Sequence, residues 1–348
     1  MRILEEHIVL ETLPISFALE KLSSLGKDLT LFVVEENKKL IGTLTDGDIR
    51  RGLIKGIKVN EPVSFFMNTD FKFLTENEFS VKQINDYKMR GIFLLPILNS
   101  NKQIIKIINL SEQENILPIT AIIMAGGEGQ RLRPLTEETP KSLLKVGDKP
   151  IIEHVVDRII HFGINNINIS VNYLGEQIID YFKNGESKDV NISYVKENEK
   201  LGTAGSVSLI KHIHHDAVLL MNADILTNIN FEDLYNQFID TGADLIVACI
   251  PYYVNVPYAV LEVDGLNVKS LKEKPKYTYY SNAGIYLIKK EHLNLIPLNK
   301  QYDATDLIED LIAANKKVIN FPIHSFWLDI GNHDDYNKAN EYLKFNKL

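Results

Sequence analysis

The sequence of 348 residues predicts an α/β protein with two domains, the larger built on a doubly wound, mainly parallel sheet. Three observations predict this class. Segments typical of strands and of helices alternate from Ala121 onward, a glycine-rich loop follows the first of these strands, and a shorter pattern occurs twice near the beginning of the chain. We therefore expect one domain at residues 1–117 and a second at residues 118–348.

The composition favours a soluble globular protein and excludes several classes of function. Apolar residues make up 45% and charged residues 24% of the chain, which is ordinary for a globular protein. A net charge of −8 argues against a broad surface for nucleic acid. The one cysteine, Cys249, lies in an apolar run and fits a reducing compartment. No signal peptide or membrane-spanning run is apparent, so we expect a cytoplasmic protein without nucleic-acid or membrane partners.

The first domain contains a strand–turn–strand pattern that is repeated. Its first copy has apolar strands at residues 31–34 and 40–44. The segment Thr45-Asp46-Gly47-Asp48 then starts a helix at residues 48–54, with acidic groups in its first turn. Its second copy has comparable strands at residues 93–98 and 104–110, roughly 60 residues further on. Two copies of one unit that pack together are therefore predicted.

The segment VVEENKKLIGTLTDGDIRRGL resembles a CBS (cystathionine-β-synthase) motif, and the two copies resemble a CBS pair. In that family a Thr-x-x-Asp segment holds the ribose and phosphate of an adenosine nucleotide. The resemblance implies AMP or ATP at Thr45 and Asp48. In the second copy Asn109 and Glu112 stand at the equivalent positions, so we expect at most one such site. A CBS pair that serves only folding or oligomerisation is the alternative.

The second domain begins after Pro118 and alternates between strand and helix patterns. Strands are predicted at residues 121–124, 166–171, 190–195, 217–221 and 245–250, and helices at residues 151–162, 173–182, 205–212 and 231–241. In an open sheet of this kind, ligands bind beyond the carboxyl ends of the strands. The glycine-rich loop that follows the first strand lies at such an end.

This loop has the sequence AGGEGQRL and is a candidate site for a triphosphate. Its backbone N–H groups can close on phosphate oxygens, and two cations flank it. The predicted phosphate-binding residues are Ala125, Gly126, Gly127 and Gly129, with Arg131 and Lys141 as the cations. A dinucleotide-binding GxGxxG is excluded because Leu132 occupies the place of its last glycine, and no GK[ST] of a P-loop follows. A glycine turn that merely links a strand to a helix is the alternative.

The longer pattern GGxGxRLxPLTxxxPKxLxxVxxKP resembles the signature of the sugar-1-phosphate nucleotidyltransferases, also called NDP-sugar pyrophosphorylases. The resemblance covers residues 119–348. It implies a Rossmann-like sheet and a Mg²⁺-dependent reaction of a nucleoside triphosphate with a sugar-1-phosphate. In this reaction Arg131 would hold the β- and γ-phosphates, and Lys141 would neutralise charge on the α-phosphoryl group.

The segment ENEKLGTAGS matches the region of that family which faces the nucleobase, and it implies base contacts from Glu197, Gly202 and Thr203. A carboxylate only accepts hydrogen bonds, and guanine offers N1–H and N2–H₂ together. Glu197 therefore favours guanine, although uracil N3–H could also donate a hydrogen bond to this carboxylate. A solvated surface charge is the alternative interpretation of Glu197.

Two aspartates are candidate ligands for Mg²⁺. Asp224 ends a buried strand, and Asp329 belongs to a Trp-x-Asp-x-Gly segment that the family also has. Mg²⁺ prefers one or two carboxylates together with substrate phosphates, so these two would suffice. Either aspartate alone could instead cap a helix.

The remaining family motifs imply a sugar site. The Glu-Lys-Pro segment supplies Glu273 for sugar hydroxyls and Lys274 for the sugar phosphate. Other candidate sugar-binding residues are Tyr258, Ala259, Asn282 and Gly284. The cluster His212, His214 and His215 lacks an acidic or cysteine partner at metal-binding spacing and is interpreted as surface histidines.

The architecture and the LGTAG loop are similar to the glucosamine-1-phosphate guanylyltransferases of legionaminic acid pathways. We therefore expect transfer of GMP from GTP to glucosamine-1-phosphate, in a protein that forms homo-oligomers. A mannose-1-phosphate guanylyltransferase and a uridylyl- or thymidylyltransferase are alternatives. An alternative of another class is a sensor of adenosine nucleotides whose transferase domain is inactive.

Overall fold

The computed structural model describes residues 4–26, 29–76, 79–111, 115–197 and 199–346. Glu112 lies outside these described residues. The chain divides into two compact units, Met1–Ile116 and Leu117–Leu348. Among the residues that the structure describes, no helix combines the length and the apolar character that crossing a membrane requires.

The first unit consists of two similar halves. The elements of the first half are β1 (Ile8–Leu10), α1 (Ile15–Ser24), β2 (Thr30–Val34), β3 (Leu40–Thr45) and α2 (Asp46–Ile54). Those of the second half are β4 (Leu74–Thr75), α3 (Val81–Met89), β5 (Leu94–Leu98) and β6 (Ile104–Asn109). Each half forms a three-stranded sheet with one parallel and one antiparallel pair, in the orders β1-β2-β3 and β4-β5-β6. The predicted repeat is therefore present in the fold.

Apolar contacts and a helix cap stabilise this first unit. Phe32 and Leu40 of the first half pack with Leu98 of the second half in one buried cluster. At the start of α2, the Thr45 hydroxyl accepts a hydrogen bond from the Asp48 backbone N–H, and the Asp48 carboxylate accepts one from the Thr45 N–H. This reciprocal capping box satisfies two backbone donors that the helix leaves unpaired. In the second half, no helix of the described residues corresponds to α2.

The second unit contains the larger α/β fold. Its strands are β7 (Ile119–Met124), β8 (Lys145–Val146), β9 (Lys149–Pro150), β10 (Asn166–Val171), β11 (Asn191–Lys196), β12 (Ala217–Asn222), β13 (Ile225–Thr227), β14 (Leu245–Asn255), β15 (Val260–Asp264), β16 (Asn267–Lys272), β17 (Lys276–Lys289), β18 (Val318–Pro322) and β19 (Trp327–Asp329). Its helices are α4 (Ile151–His161), α5 (Gly175–Phe182), α6 (Phe231–Thr241), α7 (Ala304–Ala313) and α8 (His333–Phe345).

Seven of these strands form the central sheet in the order β11-β10-β7-β12-β17-β14-β18. Only β17 runs antiparallel to its neighbours in this sheet, so the prediction of a mainly parallel α/β sheet is confirmed. β7 occupies the middle of the parallel part, and Ile119, Ala121, Ile122 and Ile123 are almost completely buried. Continuous apolar character is what a strand covered on both faces requires.

The helices follow from local sequence signals. Pro150 precedes α4, and its apolar positions Ile151, Val155 and Ile159 are fully or almost fully buried. The Asn230 side chain caps α6 by accepting hydrogen bonds from two backbone N–H groups of its first turn, and Gly242 ends the helix with a φ of 64°.

One predicted helix is wrong. In place of a helix at residues 205–212, the chain forms a short 3-10 turn at Gly205–Leu209. The backbone N–H groups of Ala204 and Gly205 both donate to the carbonyl oxygen of Tyr302. This contact with a segment far along the chain overrides the local preference for a helix.

An extended arm leaves the central sheet. β14 and β17 are paired on both sides of an irregularity at Val247/Cys249, and the hairpin of β15 and β16 lies between them in the chain. The part of the arm at residues 252–274 is mostly exposed, including Tyr258, Glu273 and Lys274.

Candidate active site

A cleft of about 410 Å³ opens at the carboxyl ends of the central strands. The predicted residues that line it are Ala125, Gly126, Gly127, Gly129, Lys141, Glu197, Gly202, Thr203 and Asp224. The structure therefore brings together the glycine loop, the loop at residues 197–203 and Asp224 just beyond the end of β12. This arrangement agrees with the rule that open α/β sheets bind ligands at the ends of their strands.

The glycine loop is held in a shape that delivers Lys141 to the cleft. Gly129 has a φ of 63°, a conformation that glycine adopts without the steric cost of a side chain. A methyl group built on Gly129 would lie 2.8 Å from Cβ of Lys141 and 2.9 Å from a methyl carbon of Thr136. The Thr136 hydroxyl donates a hydrogen bond to the carbonyl oxygen of Gly129 at 2.9 Å. Glycine at this position therefore allows Lys141 to cross closely beneath the loop.

Lys141 forms an ion pair with Asp224 inside the cleft. The backbone N–H of Ile330 donates to the carbonyl oxygen of Asp224 at 3.0 Å, and Ile225 pairs with Asp329 where β13 meets β19. Two short strands thus bring Asp224 and Asp329 together, although the two residues are far apart in the sequence.

The two aspartates of this site, Asp224 and Asp329, are only partly compensated by hydrogen bonds and by positive charge. One oxygen of Asp224 and one oxygen of Asp329, Oδ1 in each case, are buried and lack a hydrogen-bond partner among the described residues. Burial raises the pKa of Asp329, and the neighbouring Asp224 charge raises it further, while Lys141 and Arg131 act in the opposite direction. Buried carboxylate oxygens without a partner are costly, and hard oxygen ligands are what Mg²⁺ prefers. The two aspartates therefore fit a divalent cation.

Arg131 is an exposed residue of the 3-10 turn Gln130–Leu132 that follows the glycine loop. Its guanidinium nitrogens lie about 3.5 Å from the point where a side chain on Gly331 would begin. Gly331 follows Asp329 closely in the chain, which explains why the arginine charge acts on the pKa of Asp329. Arg131 thus lies beside the aspartate pair rather than within the lining of the cleft.

Glu197 follows β11 and is fixed beneath the glycine loop. Its carboxylate accepts hydrogen bonds from the Ser170 hydroxyl and, at 3.3 Å, from the Leu201 backbone N–H. A methyl group on Gly126 would lie 3.0 Å from Oε1 of Glu197. The side chain is therefore a positioned acceptor in the cleft, and the interpretation as a solvated surface charge is wrong.

The second glycine-containing loop has a packing role that sequence reasoning did not predict. Both the backbone N–H and the hydroxyl of Thr203 donate to Oδ1 of Asp303, at 2.7 and 3.1 Å. A methyl group on Gly202 would lie 2.7 Å from the same oxygen, and one on Gly205 would lie 2.6 Å from the carbonyl oxygen of Lys300. These glycines allow the segment before α7 to approach the loop closely.

The predicted sugar-binding residues fall into two groups. Gly284 adjoins the cleft, because a methyl group on it would lie 2.6 Å from the amide nitrogen of Asn222, which lines the cleft. Asn282 donates to the Tyr286 hydroxyl at 2.8 Å and accepts from the Gly284 N–H at 2.9 Å. In contrast, Tyr258, Ala259, Glu273 and Lys274 are exposed on the arm and do not line the cleft. Their contact with a sugar remains a prediction.

Several cleft residues were missed by the sequence analysis. Lys200 and Glu128, which line the cleft from its two loops, form an ion pair of 2.5 Å. Ser170 orients Glu197 from a neighbouring strand, and Asn222 stands just before Asp224. A polar residue at a strand's carboxyl end was an available signal for Ser170 and Asn222. No local pattern marks the pairing of Lys200 with Glu128.

In the first unit, Thr45 and Asp48 are engaged with each other. The Thr45 hydroxyl donates to Asp48 Oδ2 at 2.6 Å, and Arg51 pairs with the other oxygen of Asp48 at 2.5 Å. Both predicted ligand residues therefore lie together at the start of α2. A nucleotide at this position remains a prediction.

Comparison with known proteins identifies the family of each unit. A family model described as nucleotidyl transferase matches residues 120–345, and a CBS domain model matches residues 5–55. Bifunctional protein GlmU of Methanocaldococcus jannaschii is 34% identical over 230 residues, covering 64% of this chain and 54% of that protein. A mannose-1-phosphate guanyltransferase of Schizosaccharomyces pombe is 32% identical over 229 residues, covering 62% of each.

These relatives are matched over only part of their own length, 54% and 62% respectively. A crystal structure described as a glucose-1-phosphate thymidylyltransferase from Bacillus anthracis shares the fold, with a TM-score of 0.54 and 21% identity. The similarity covers 66% of this chain and 97% of that one. The chain therefore belongs to the nucleotidyl transferase family and carries a CBS domain in its first unit.

Proposed function

We propose that the protein transfers GMP from GTP to glucosamine-1-phosphate, forming an NDP-sugar and releasing pyrophosphate. The observation that carries the proposal is the group of Lys141, Asp224 and Asp329 beside a glycine loop at the ends of the strands. Closely placed cations and unpaired carboxylate oxygens suit a triphosphate with a divalent metal ion.

The reaction needs no general base, because the attacking sugar phosphate is already an anion. One of its oxygens forms a bond to the α-phosphorus, and the bond between that phosphorus and the bridging oxygen of pyrophosphate breaks. Catalysis of such a displacement consists of positioning and charge neutralisation. Lys141 would neutralise the α-phosphoryl group, while Arg131 would hold the departing phosphates. On the arm, Glu273 and Lys274 would meet the sugar hydroxyls and the sugar phosphate.

Asp224 and Asp329 would hold Mg²⁺ through the two buried oxygens that lack a partner. When bound, the ion would supply positive charge to the triphosphate oxygens. Lys141 already pairs with Asp224, so the protein orients this carboxylate before any ligand arrives.

The choice of GTP rests on Glu197. Its carboxylate is fixed by Ser170 and by the Leu201 N–H, and it keeps accepting capacity for a base that offers two adjacent donors. Guanine offers N1–H and N2–H₂, whereas hypoxanthine offers only N1–H. We expect GTP to exceed ITP in kcat/KM by about tenfold, the scale of one hydrogen bond to a charged group, and Glu197→Gln to reduce this ratio. A ratio unchanged in Glu197→Gln would contradict the assignment.

The first experiment is a measurement of pyrophosphate release with Mg²⁺. GTP, UTP, CTP, dTTP and ATP are each combined with glucosamine-, N-acetylglucosamine-, glucose- and mannose-1-phosphate. We expect the highest turnover with GTP and glucosamine-1-phosphate. Preference for mannose-1-phosphate, or for UTP or dTTP, would establish one of the alternative transferases. No release from any pair, with or without AMP, would refute transferase activity and favour the sensor.

We also propose that AMP or ATP binds at Thr45 and Asp48, which lie together at the start of α2. Titration calorimetry of the full chain with AMP tests this site. Thr45→Val should weaken binding by about tenfold through loss of one hydrogen-bonding hydroxyl. Heats that are equal in the wild type and the variant, or absent in both, would refute the site without affecting the transferase proposal.

A further inference from the structure

A second cleft, here called the polar groove, lies on one face of β10 and β11. It has a volume of about 480 Å³, within the range of small-molecule sites. Asn166 lies opposite Asn191 and Asn168 lies opposite Ser193 in the register of these strands, so the four side chains share the face that lines the groove. The segment after the 3-10 turn at Gly205–Leu209 forms the other wall.

The polar face of β10 contrasts with its opposite face. Ile167 and Ile169 alternate with the asparagines and are 1% and 0% exposed, as expected for strands packed under helices. A sheet covered on both faces normally presents apolar residues to both. The groove face presents amides and a hydroxyl instead. Asn191 and Ser193 are exposed on the edge strand β11, and the Asn191 amide donates to Oδ1 of Asn166 at 3.5 Å, so the desolvation cost falls on the buried member of this set.

Asn168 is the residue that most needs a partner. It is only 8% exposed and lines the groove, and no described residue forms a hydrogen bond with its side-chain amide. Other buried polar residues on this face of the sheet are satisfied. The Thr120 hydroxyl is hydrogen-bonded to the His215 ring at 3.1 Å, and the Ser170 hydroxyl donates to Glu197. An amide that has no protein partner and reaches solvent only through an open groove is available to a ligand in that groove.

The charged residues at the groove define the class of ligand. Lys211, His212 and His214 line its other wall, and none of the described lining residues is acidic. This local balance differs from the net charge of −8 of the whole chain. A lysine ammonium and imidazole N–H groups can donate to phosphate oxygens, while an amide can donate to one hydroxyl and accept from another. The combination suits a molecule that carries both hydroxyls and a phosphate.

We infer that the polar groove is a second ligand site, which binds a phosphorylated sugar separately from the transferase cleft. The two sites share no lining residue. They are nevertheless neighbours, because Ser170, which holds Glu197, is two positions from Asn168 on the same face of β10. Two positions along a strand span about 6.6 Å.

Titration calorimetry of the full chain with glucose 6-phosphate tests this inference. Glucose and inorganic phosphate serve as probes that carry only one half of the recognised chemistry. We expect each of these probes to bind at least about tenfold more weakly than glucose 6-phosphate. Glucose lacks the charged hydrogen bonds of the phosphate, and inorganic phosphate lacks the neutral hydrogen bonds of the sugar hydroxyls. Equal affinities for glucose 6-phosphate and inorganic phosphate would overturn the inference.

Variants assign the binding to the groove. Asn168→Leu and Lys211→Ala should each weaken glucose 6-phosphate binding by about tenfold. Lys316→Ala removes an exposed lysine elsewhere and should leave binding unchanged, as should Lys274→Ala, which removes the lysine assigned to the sugar phosphate of the transferase reaction. Lys211 is exposed, so its variant remains informative even where Asn168→Leu impairs folding. Absence of binding, or binding that Lys211→Ala leaves unchanged, would overturn the inference.

Discussion

The replacement Lys141→Met tests the central electrostatic element of the cleft. Methionine keeps an unbranched apolar stem but removes the ammonium group that pairs with Asp224. The side chains of Lys141 and Asp224 are only 13% and 23% exposed, so water compensates poorly for the lost charge. Without the ammonium, Asp224 and the nearby Asp329 face each other with less positive charge between them, and the pKa of Asp329, already raised by burial and by Asp224, should rise further.

Two magnitudes follow from this geometry. Loss of one preorganised electrostatic partner typically lowers turnover by about 10²–10³-fold, so we expect kcat in pyrophosphate release to fall by that factor. Loss of a partner from a largely buried ion pair should lower the free energy of unfolding by about 1–3 kcal/mol. The folded variant should therefore be nearly inactive at a temperature where it remains native.

Lys145→Met is the matched control, because Lys145 is exposed and lies on the same stretch of chain. Its turnover should stay within about twofold of the wild type, as is usual for a surface substitution away from a site. Pyrophosphate release gives kcat, and urea unfolding gives the free energy. A Lys141→Met protein that is folded and retains more than about a tenth of the wild-type kcat would refute the role assigned to this lysine.

Two other predictions concern stability. Asp244 accepts a hydrogen bond from Lys289 at 2.7 Å, which holds the pKa of Asp244 well below its usual 3.8 despite partial burial. The free energy that the ionised Asp244 contributes to folding is therefore present above about pH 4 and is lost as the pH falls below the usual pKa. Asp244→Asn should lower the free energy of unfolding, measured in urea, by about 2 kcal/mol at neutral pH and by less in acid. Gly205→Ala should cost about 1–3 kcal/mol by clashing with the Lys300 carbonyl, whereas Gly127→Ala, which meets nothing within 4 Å, should leave unfolding unchanged.

Much of the fold could be predicted because its signals are local. The alternation of apolar strands and amphipathic helices determines the sheet, and the boundaries of α6 follow from Asn230 and Gly242. The position of the cleft could be predicted from the rule that open α/β sheets bind ligands beyond the carboxyl ends of their strands. Asp224 obeys this rule, while Asp329 was found only by its motif, because it lies on a short strand outside the central sheet.

The features that could not be predicted depend on contacts across long stretches of sequence. Gly202 and Gly205 looked like parts of a ligand-binding loop, but their close neighbours belong to the segment of residues 300–303. The same contact replaces a predicted helix by a 3-10 turn, and the segment that follows this turn forms one side of the polar groove. The position of Glu273 and Lys274 likewise depends on how the arm leaves the sheet at Val247/Cys249, a geometry that no local pattern encodes.

The charges of the cleft explain why metal ion and triphosphate should bind together. Asp224 and Asp329 carry two negative charges when ionised, and Lys141 compensates only one of them at short range. A triphosphate that entered alone would meet an uncompensated carboxylate beside the cleft, and like charges in a poorly hydrated site repel strongly. A divalent cation held by the two unpaired carboxylate oxygens would reverse the sign of this interaction. We therefore expect triphosphate affinity in Asp329→Asn to depend less on Mg²⁺ than in the wild type, measured by calorimetry with and without the ion.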